Sequence, residues 1–498
     1  MSIRLVRNGI NIPSKIDTLK IKETKSAFSN KLSISKSTHP FIILETPETV
    51  AALGPPVLQS THSVFNDVLF INDNRIYQAE LIVRGLVKGG RKCDIIYTNE
   101  VFPHLKQKID SYFPDVTVDG STPTSYNEQT DVDFTDTAWQ GYVENTIPRN
   151  FPDVDFNFPS LKFPTKFGDE LEPDDNWYAY KGEINQKTNG IVSLNYKAGG
   201  LENQNVICPF YYLLAPLYKV FKDELGYTIS GDFVEDEAIK CRLLYHKENN
   251  LVEITQPAND NSEWLTVFRH HLTIHAKRFL PSWSVAQYIN NLKNTWNLSI
   301  TTNDITKEII INYNEKAFFK SKPLDISAYN YEKEVYPTNT TNKAYVLQSA
   351  DGEDYAKLTL DAIENTDVVD DYTVLLKSNF KHTPETLTLD WEGNGGVGLI
   401  FYKYTIDSTY NVQEINNQTN LIWGENGIME TCWMLWFRMR LRSKILPLNL
   451  ICSPKQKADL QLATNIYVFN QEFLLKTTQF EQVGKKYKVK LDLISLSY

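Results

Sequence analysis

His270, His271 and His275 form the one histidine cluster of the chain. A zinc peptidase helix needs His-Glu-x-x-His, in which the glutamate is the general base. Here Leu272, Thr273 and Ile274 separate the second and third histidines, no carboxylate is among them, and the β-branched pair favours a strand. The expectation is ordinary, partly buried histidines and no bound metal or other cofactor. Gly393-Asn-Gly-Gly-Val-Gly398 has the Gly-x-Gly-x-x-Gly spacing of a dinucleotide loop. Such a loop needs a helix after it, whose N-terminus holds the pyrophosphate. Leu399-Ile-Phe-Tyr-Lys-Tyr follows instead, so a glycine-rich hairpin is expected.

Asp131-Val-Asp-Phe and Asp153-Val-Asp-Phe are matching Asp-x-Asp pairs. Carboxylates alternating along a strand could hold calcium, but the glycine and distal glutamate of an EF-hand loop are missing, and solvated acidic strands account for both. A carboxylate pair of the glycosidase type is defined in space and leaves no spacing to look for. There is no Gly-x-Ser-x-Gly elbow and no phosphate-binding Gly-x-x-x-x-Gly-Lys-[Ser/Thr] loop. No catalytic residue is assigned. One cationic pattern stands out: in Phe437-Arg-Met-Arg-Leu-Arg-Ser-Lys444 the charges alternate, so a strand there would place Arg438, Arg440, Arg442 and Lys444 on one face. That face would meet phosphates, an acidic protein surface, or only water. The net charge of −10 favours a protein partner over specific nucleic-acid binding.

Residues 1–105 read as one β-domain. Asn8-Gly9 marks a tight turn, Lys31–Lys36 alternates as a half-buried strand does, and Val68–Ile71 and Ile76–Val83 form a hairpin across a polar turn. Gly89-Gly90 precedes a further strand from Cys93. Residues 106–204 read as an acidic, Pro- and aromatic-rich extended insertion. Between Asp110 and Asp175 there are 15 acids and three basic residues, so this stretch alone accounts for the chain's negative charge. Its rings are expected to pack on a neighbouring surface while its acids stay in water.

Residues 205–325 read as an α/β domain with two helices. The first opens at Pro209 and stops at Gly226; the second is capped by Ser284 and shows Val285, Ile289, Leu292 and Trp296 on one face. Each leads into two strands, which suggests a degenerate helix–strand–strand repeat. Residues 326–429 read as β-rich. Residues 430–498 read as a C-terminal β-module with a short helix opened by Ser453-Pro454. No apolar run reaches ~18 residues, so no membrane span is expected, and the N-terminus shows no secretory signal. The five cysteines are scattered and odd in number, as expected for buried, reduced thiols.

In order, Asn8-Gly-Ile-Asn-Ile-Pro13, Ala27-Phe-Ser-Asn-Lys-Leu-Ser-Ile-Ser-Lys-Ser-Thr38, the hairpin at 68–83, Arg278-Phe-Leu-Pro-Ser-Trp-Ser-Val-Ala-Gln-Tyr-Ile-Asn-Asn-Leu292 and Ile466-Tyr-Val-Phe-Asn-Gln-Glu-Phe-Leu-Leu475 resemble hub proteins at the tail tip or baseplate of tailed bacteriophages and contractile injection systems. The motifs are short, and the acidic region matches nothing in that family. The resemblance implies an α+β, predominantly β, multi-domain chain with two tube-like β-barrel modules and smaller α/β domains. It implies a non-enzymatic structural virion protein, assembled in the host cytoplasm into the virion tail. It implies a homotrimer that adapts a hexameric tail tube protein to a trimeric spike or tail fibre, beside other baseplate proteins. A receptor- or carbohydrate-binding tail protein is the alternative, and a carboxylate-dependent glycosidase a more distant one. If the hub reading holds, modules 1–105 and 430–498 share one topology.

Overall fold

A computed structural model describes residues 4–15, 20–24, 35–37, 40–56, 63–72, 75–98, 102–118, 136–159, 161–162, 183–185, 187–188, 191–192, 208–246, 252–258, 263–269, 273–303, 306–315, 322–332, 335–339, 344–348, 355–358, 363–364, 373–377, 380–381, 397–402, 427–463, 465–483 and 486–496. The protein is mostly β, divided among several sheets, the largest of 16 strands.

The N-terminal module supplies β1 (Arg4–Arg7), β2 (Ile10–Ile12), β3 (Ser14–Lys15), β4 (Lys20–Thr24), β5 (Ser35–Ser37), β6 (Phe41–Leu44), α1 (Pro47–Leu53), β7 (Ser63–Asn72), β8 (Arg75–Val87) and β9 (Gly90–Thr98). The Asn8-Gly9 turn has φ of 52° and 75°, the left-handed pair that a tight hairpin needs. Along β9, Arg91, Cys93, Ile95 and Tyr97 are buried in alternation with more exposed neighbours. That is the period of two of a sheet with one face on a core.

The central body packs its helices and small sheets around a separate core. The acidic region belongs to it: Ile109, Phe113, Val143, Ile147, Phe151, Phe156 and Phe158 are buried there. Phe113 and Phe156 each lie 5.1 Å, centroid to centroid, from the ring of Tyr211, and Phe151 lies 4.8 Å from Tyr218. The rings therefore pack as the composition suggests, but the region is not extended throughout, because α2 (Asp136–Thr146) crosses it. The first helix expected in 205–325 starts later than Pro209. Phe210–Tyr211 is a strand, and the helix runs from Ala215 through a π-helical stretch, Tyr218–Glu224, to Gly226 at φ 69°.

Beyond that glycine lies β10 (Thr228–Ser230). The second helix, α3 (Val285–Trp296), has the full capping box: Ser284 Oγ accepts from Gln287 N, and Gln287 Oε1 accepts from Ser284 N. Then follow β11 (Leu298–Asn303) and β12 (Glu308–Tyr313), which pair antiparallel, while β10 pairs parallel with β12. The two units are not a repeat. After β10 the chain makes the short helices Asp232–Glu235 and Glu237–Lys240, and the next strand, Arg242–His246, joins a different sheet. Gly231 explains part of this: its φ is 116°, and a Cβ there would lie 2.3 Å from the carbonyl oxygen of Ile311, so only glycine lets β10 turn away so close to β12.

The C-terminal segment supplies α4 (Met434–Arg442), β13 (Lys444–Cys452), α5 (Pro454–Leu462), β14 (Asn465–Val468), β15 (Gln471–Val483) and β16 (Lys486–Ser495). Its strands join the N-terminal module in one sheet, in the order β2-β1-β7-β8-β9-β5-β4-β15-β16-β13. The seam is the pairing of β4 with β15, from Thr24↔Thr477 to Lys20↔Glu481. Residues from both modules also share one apolar core, from Leu5 to Tyr97 and from Leu446 to Leu493. Leu474 and Leu475 are adjacent and both fully buried. They face opposite ways: Leu475 joins the shared core, and Leu474, with its cross-strand partner Ile494, joins the core of the central body.

Candidate assembly interface

The two ends of the chain fold along the same path. Each runs strand, capped helix, strand, long strand, strand: β6-α1-β7-β8-β9 in one and β13-α5-β14-β15-β16 in the other. The pairing also matches, with β6 on β9, β9 on β8 and β8 on β7, against β13 on β16, β16 on β15 and β15 on β14. The long strands β8 and β15 are both 13 residues. Both helices have a hydroxyl cap followed by proline: Thr46 Oγ1 accepts from Thr49 N, and Ser453 Oγ accepts from Gln456 N, each at 3.3 Å.

The match extends to register. Val87 pairs with Gly90 as Val483 pairs with Lys486, and Phe41 pairs with Cys93 as Leu450 pairs with Val489. In β16, Tyr487, Val489, Leu491 and Leu493 are buried at the places of Arg91, Cys93, Ile95 and Tyr97 in β9. Helix and strand are joined by different chemistry in each copy. Arg91, 4% exposed in its side chain, donates two 2.8 Å hydrogen bonds to Glu45 and one to the Gly54 carbonyl, and these bonds hold the Glu45 carboxyl below the usual carboxylate range. At the cognate place stands Tyr487. There the cation comes from the helix: Lys457 Nζ sits 4.5 Å from the Tyr487 ring centroid and 4.3 Å from that of Phe480.

The seam fixes how the two copies relate. Each step from β8 to β9, β5, β4 and β15 is antiparallel, so β8 and β15 run the same way. Equivalent strands also come in the same order across the sheet. The copies are therefore head-to-tail and are not related by a dyad.

The cationic residues singled out in the sequence are placed differently from expectation. Arg438, Arg440 and Arg442 are on α4, and only Lys444 is on a strand, as the first residue of β13. A helix turns about 100° per residue. Arg438 and Arg442 thus share a face and are exposed, while Arg440 falls at another angle, so no single stripe forms. The helix wins because Trp433, Trp436 and Phe437, at spacings of three and one, bury together in the central body, with the Trp433 and Phe437 rings stacked at 4.8 Å. Met, Leu and Arg are also good helix formers.

His275 is buried, and its Nδ1 lies 2.9 Å from Asp115 Oδ2, beside the pairing of Val116–Thr117 with Thr273–Ile274. His270 and His271 lie outside the described residues, as do Asp131, Asp133 and Gly393–Gly396. Asp155 pairs with Lys219 at 3.1 Å. Among the described residues no group of three His, Cys, Asp or Glu is arranged to hold a metal ion. Val397–Phe401, after the glycine-rich run, is a strand, as expected, and not a phosphate-binding helix; it pairs with Arg242–His246 and runs parallel to Phe380–Lys381, so it forms no hairpin with the strand described before the run. All five cysteines are buried thiols outside any disulfide. Among the described residues no helix is long and apolar enough to cross a membrane.

No protein-family model matches the chain, and no curated protein matches it. Solved structures do. The structures it is similar to include tail proteins, two of them from prophages. A tail protein from Neisseria meningitidis MC58 matches at 8% identity and TM-score 0.34, over 99% of this chain and 96% of that one. A prophage tail protein from Listeria monocytogenes EGD-e matches at 8% identity and TM-score 0.35, over 99% and 94%. The 43 kDa tail protein of prophage MuSo2 from Shewanella oneidensis matches at 9% identity and TM-score 0.33, over 99% and 98%.

Proposed function

We propose that this protein is a structural component of a phage tail: a homotrimeric hub at the tail tip or baseplate. It joins a hexameric tail tube to a trimeric spike or fibre, and it catalyses no reaction. The observation that carries this reading is the head-to-tail repetition of one β-module at the two ends of the chain. Head-to-tail contacts propagate, into a closed ring where the rotation closes and into a filament where it does not, whereas dyad-related contacts stop at two. A chain with two such modules in line supplies two neighbouring places of a ring, and three chains supply six. A closed ring also leaves no long exposed strand edge. In this reading 1–105 and 430–498 carry the two tube-like modules. The regions 106–204 and 205–325, up to Leu324, stand outside the ring, whereas Leu324–Asp325, Asn330–Tyr331 and Thr338–Asn339 extend the C-terminal module's sheet, and Arg438, Arg442 and Lys444 face other baseplate proteins.

The test is to locate the chain in isolated tails by antibody labelling and electron microscopy. Label confined to the junction between tube and tip supports the hub. Label along fibre ends, together with glycan affinity of the purified protein, would reject it in favour of a receptor-binding tail protein.

A further inference from the structure

The duplicated modules expose matching hairpin tips. In the N-terminal module β8 turns into β9 through Lys88 and Gly89; in the C-terminal module β15 turns into β16 after Val483. The residue that closes each hairpin is a valine in the solvent: Val87 is 38% exposed and Val483 is 58% exposed. Leu86, next to Val87 in the chain, and Ile451, across from Lys488 on β13, are exposed as well. Each tip also carries lysines, and in the second Glu481 lies across the strand from Lys488. Lys88 and Lys92 are exposed in the first, and Lys486 and Lys488 in the second. Lys92 and Lys488 hold equivalent positions, and their cross-strand neighbours Ile42 and Ile451 are equivalent as well. Because β8 and β15 run the same way, both tips lie on the same rim of the sheet.

Elsewhere the modules have diverged: Arg91 stands where Tyr487 does, and Asp94 where Lys490 does. An exposed valine beside lysines, kept in register in both copies of an acidic chain, points to one contact made twice. We propose that the two tips are a pair of equivalent docking sites for a protein ring of identical subunits. Each subunit would offer an apolar spot with an acidic border, one subunit per module. The acidic border follows from the lysines, and the repetition of the partner follows from the repetition of the tips. This rests on the hub reading and adds to it the rim that faces the ring and the residues that touch it.

The test uses the full chain and the purified tube-forming protein of the same tail. Binding is measured for wild type, Val87→Asp, Val483→Asp and the double variant, with melting temperature and assembly mass as controls. The tips are exposed, so both controls are expected to match wild type. Each single variant is expected to bind about tenfold more weakly, by similar factors, and the double variant to lose binding. Lys88→Glu with Lys486→Glu should act in the same direction, with a weaker salt dependence. If tube protein binds all variants as it binds wild type, or if only one tip matters, the docking inference is wrong and the hub reading stands. If tube protein does not bind wild type at all, both fall.

Discussion

Single ionisable residues report on the two cores in different windows of pH. Lys293 is buried on α3, and burial pulls its pKa down to about 7. An unfolded lysine titrates near 10.4. The folded state therefore binds fewer protons between these values, and wild-type stability rises as pH goes from about 7 toward 10. Lys293→Met should make stability less dependent on pH between about 7 and 10. Urea unfolding at both pH values checks this, and a variant as dependent on pH as wild type would refute it. Glu45 acts in the same direction at a lower pH, but there the charged form is the favoured one. Its depressed pKa contributes stability above the unfolded value of about 4.3, and the contribution is lost as pH falls through the folded value. Glu45→Gln should cost about 1–2 kcal/mol at pH 7 and little at pH 3. Equal costs at the two pH values would show that Arg91 and Glu45 are not coupled by charge. Neither residue could be singled out in the sequence, since both effects depend on neighbours brought in by tertiary packing.

At the scale of elements, legibility followed locality. The Asn8-Gly9 hairpin, the Ser284 cap and the Ser453-Pro454 helix start are set by residues a few places apart, and all three stand where the sequence puts them. The cationic run at 437–444 misled because its strict alternation also fits a helix whose opposite side is fixed by Trp433, Trp436 and Phe437. The helix Asp136–Thr146 was missed because acids and proline dominate the region, although Trp139, Tyr142, Val143 and Ile147 recur at helical spacing. The equivalent caps of α1 and α5 give a direct comparison. Thr46→Ala and Ser453→Ala should each lower stability by about 1 kcal/mol, with near-additive loss in the double variant because the caps share no partner. A negligible loss at Ser453 would argue against its capping box.

At the scale of the whole molecule, sequence reading reached a predominantly β chain but not what joins its two ends. The pairing of Lys20–Thr24 with Thr477–Glu481 links residues more than four hundred places apart, and no local periodicity encodes it. The head-to-tail relation follows from that seam alone, and with it the proposal that three chains close a ring. Disturbing the seam is expected to act on the assembly. Proline at Lys22, within β4, removes a backbone donor from the strand that joins the modules, and should lower the fraction of assembled protein at fixed concentration.

The mass of the purified assembly in solution, by native mass spectrometry or sedimentation equilibrium, tests the central claim most directly. One chain is 57.3 kDa. The hub account predicts a species of three chains, about 172 kDa when 57.3 kDa is tripled, that persists on dilution. A protein that remains at the mass of one chain, both alone and when released from assembled tails, would contradict it.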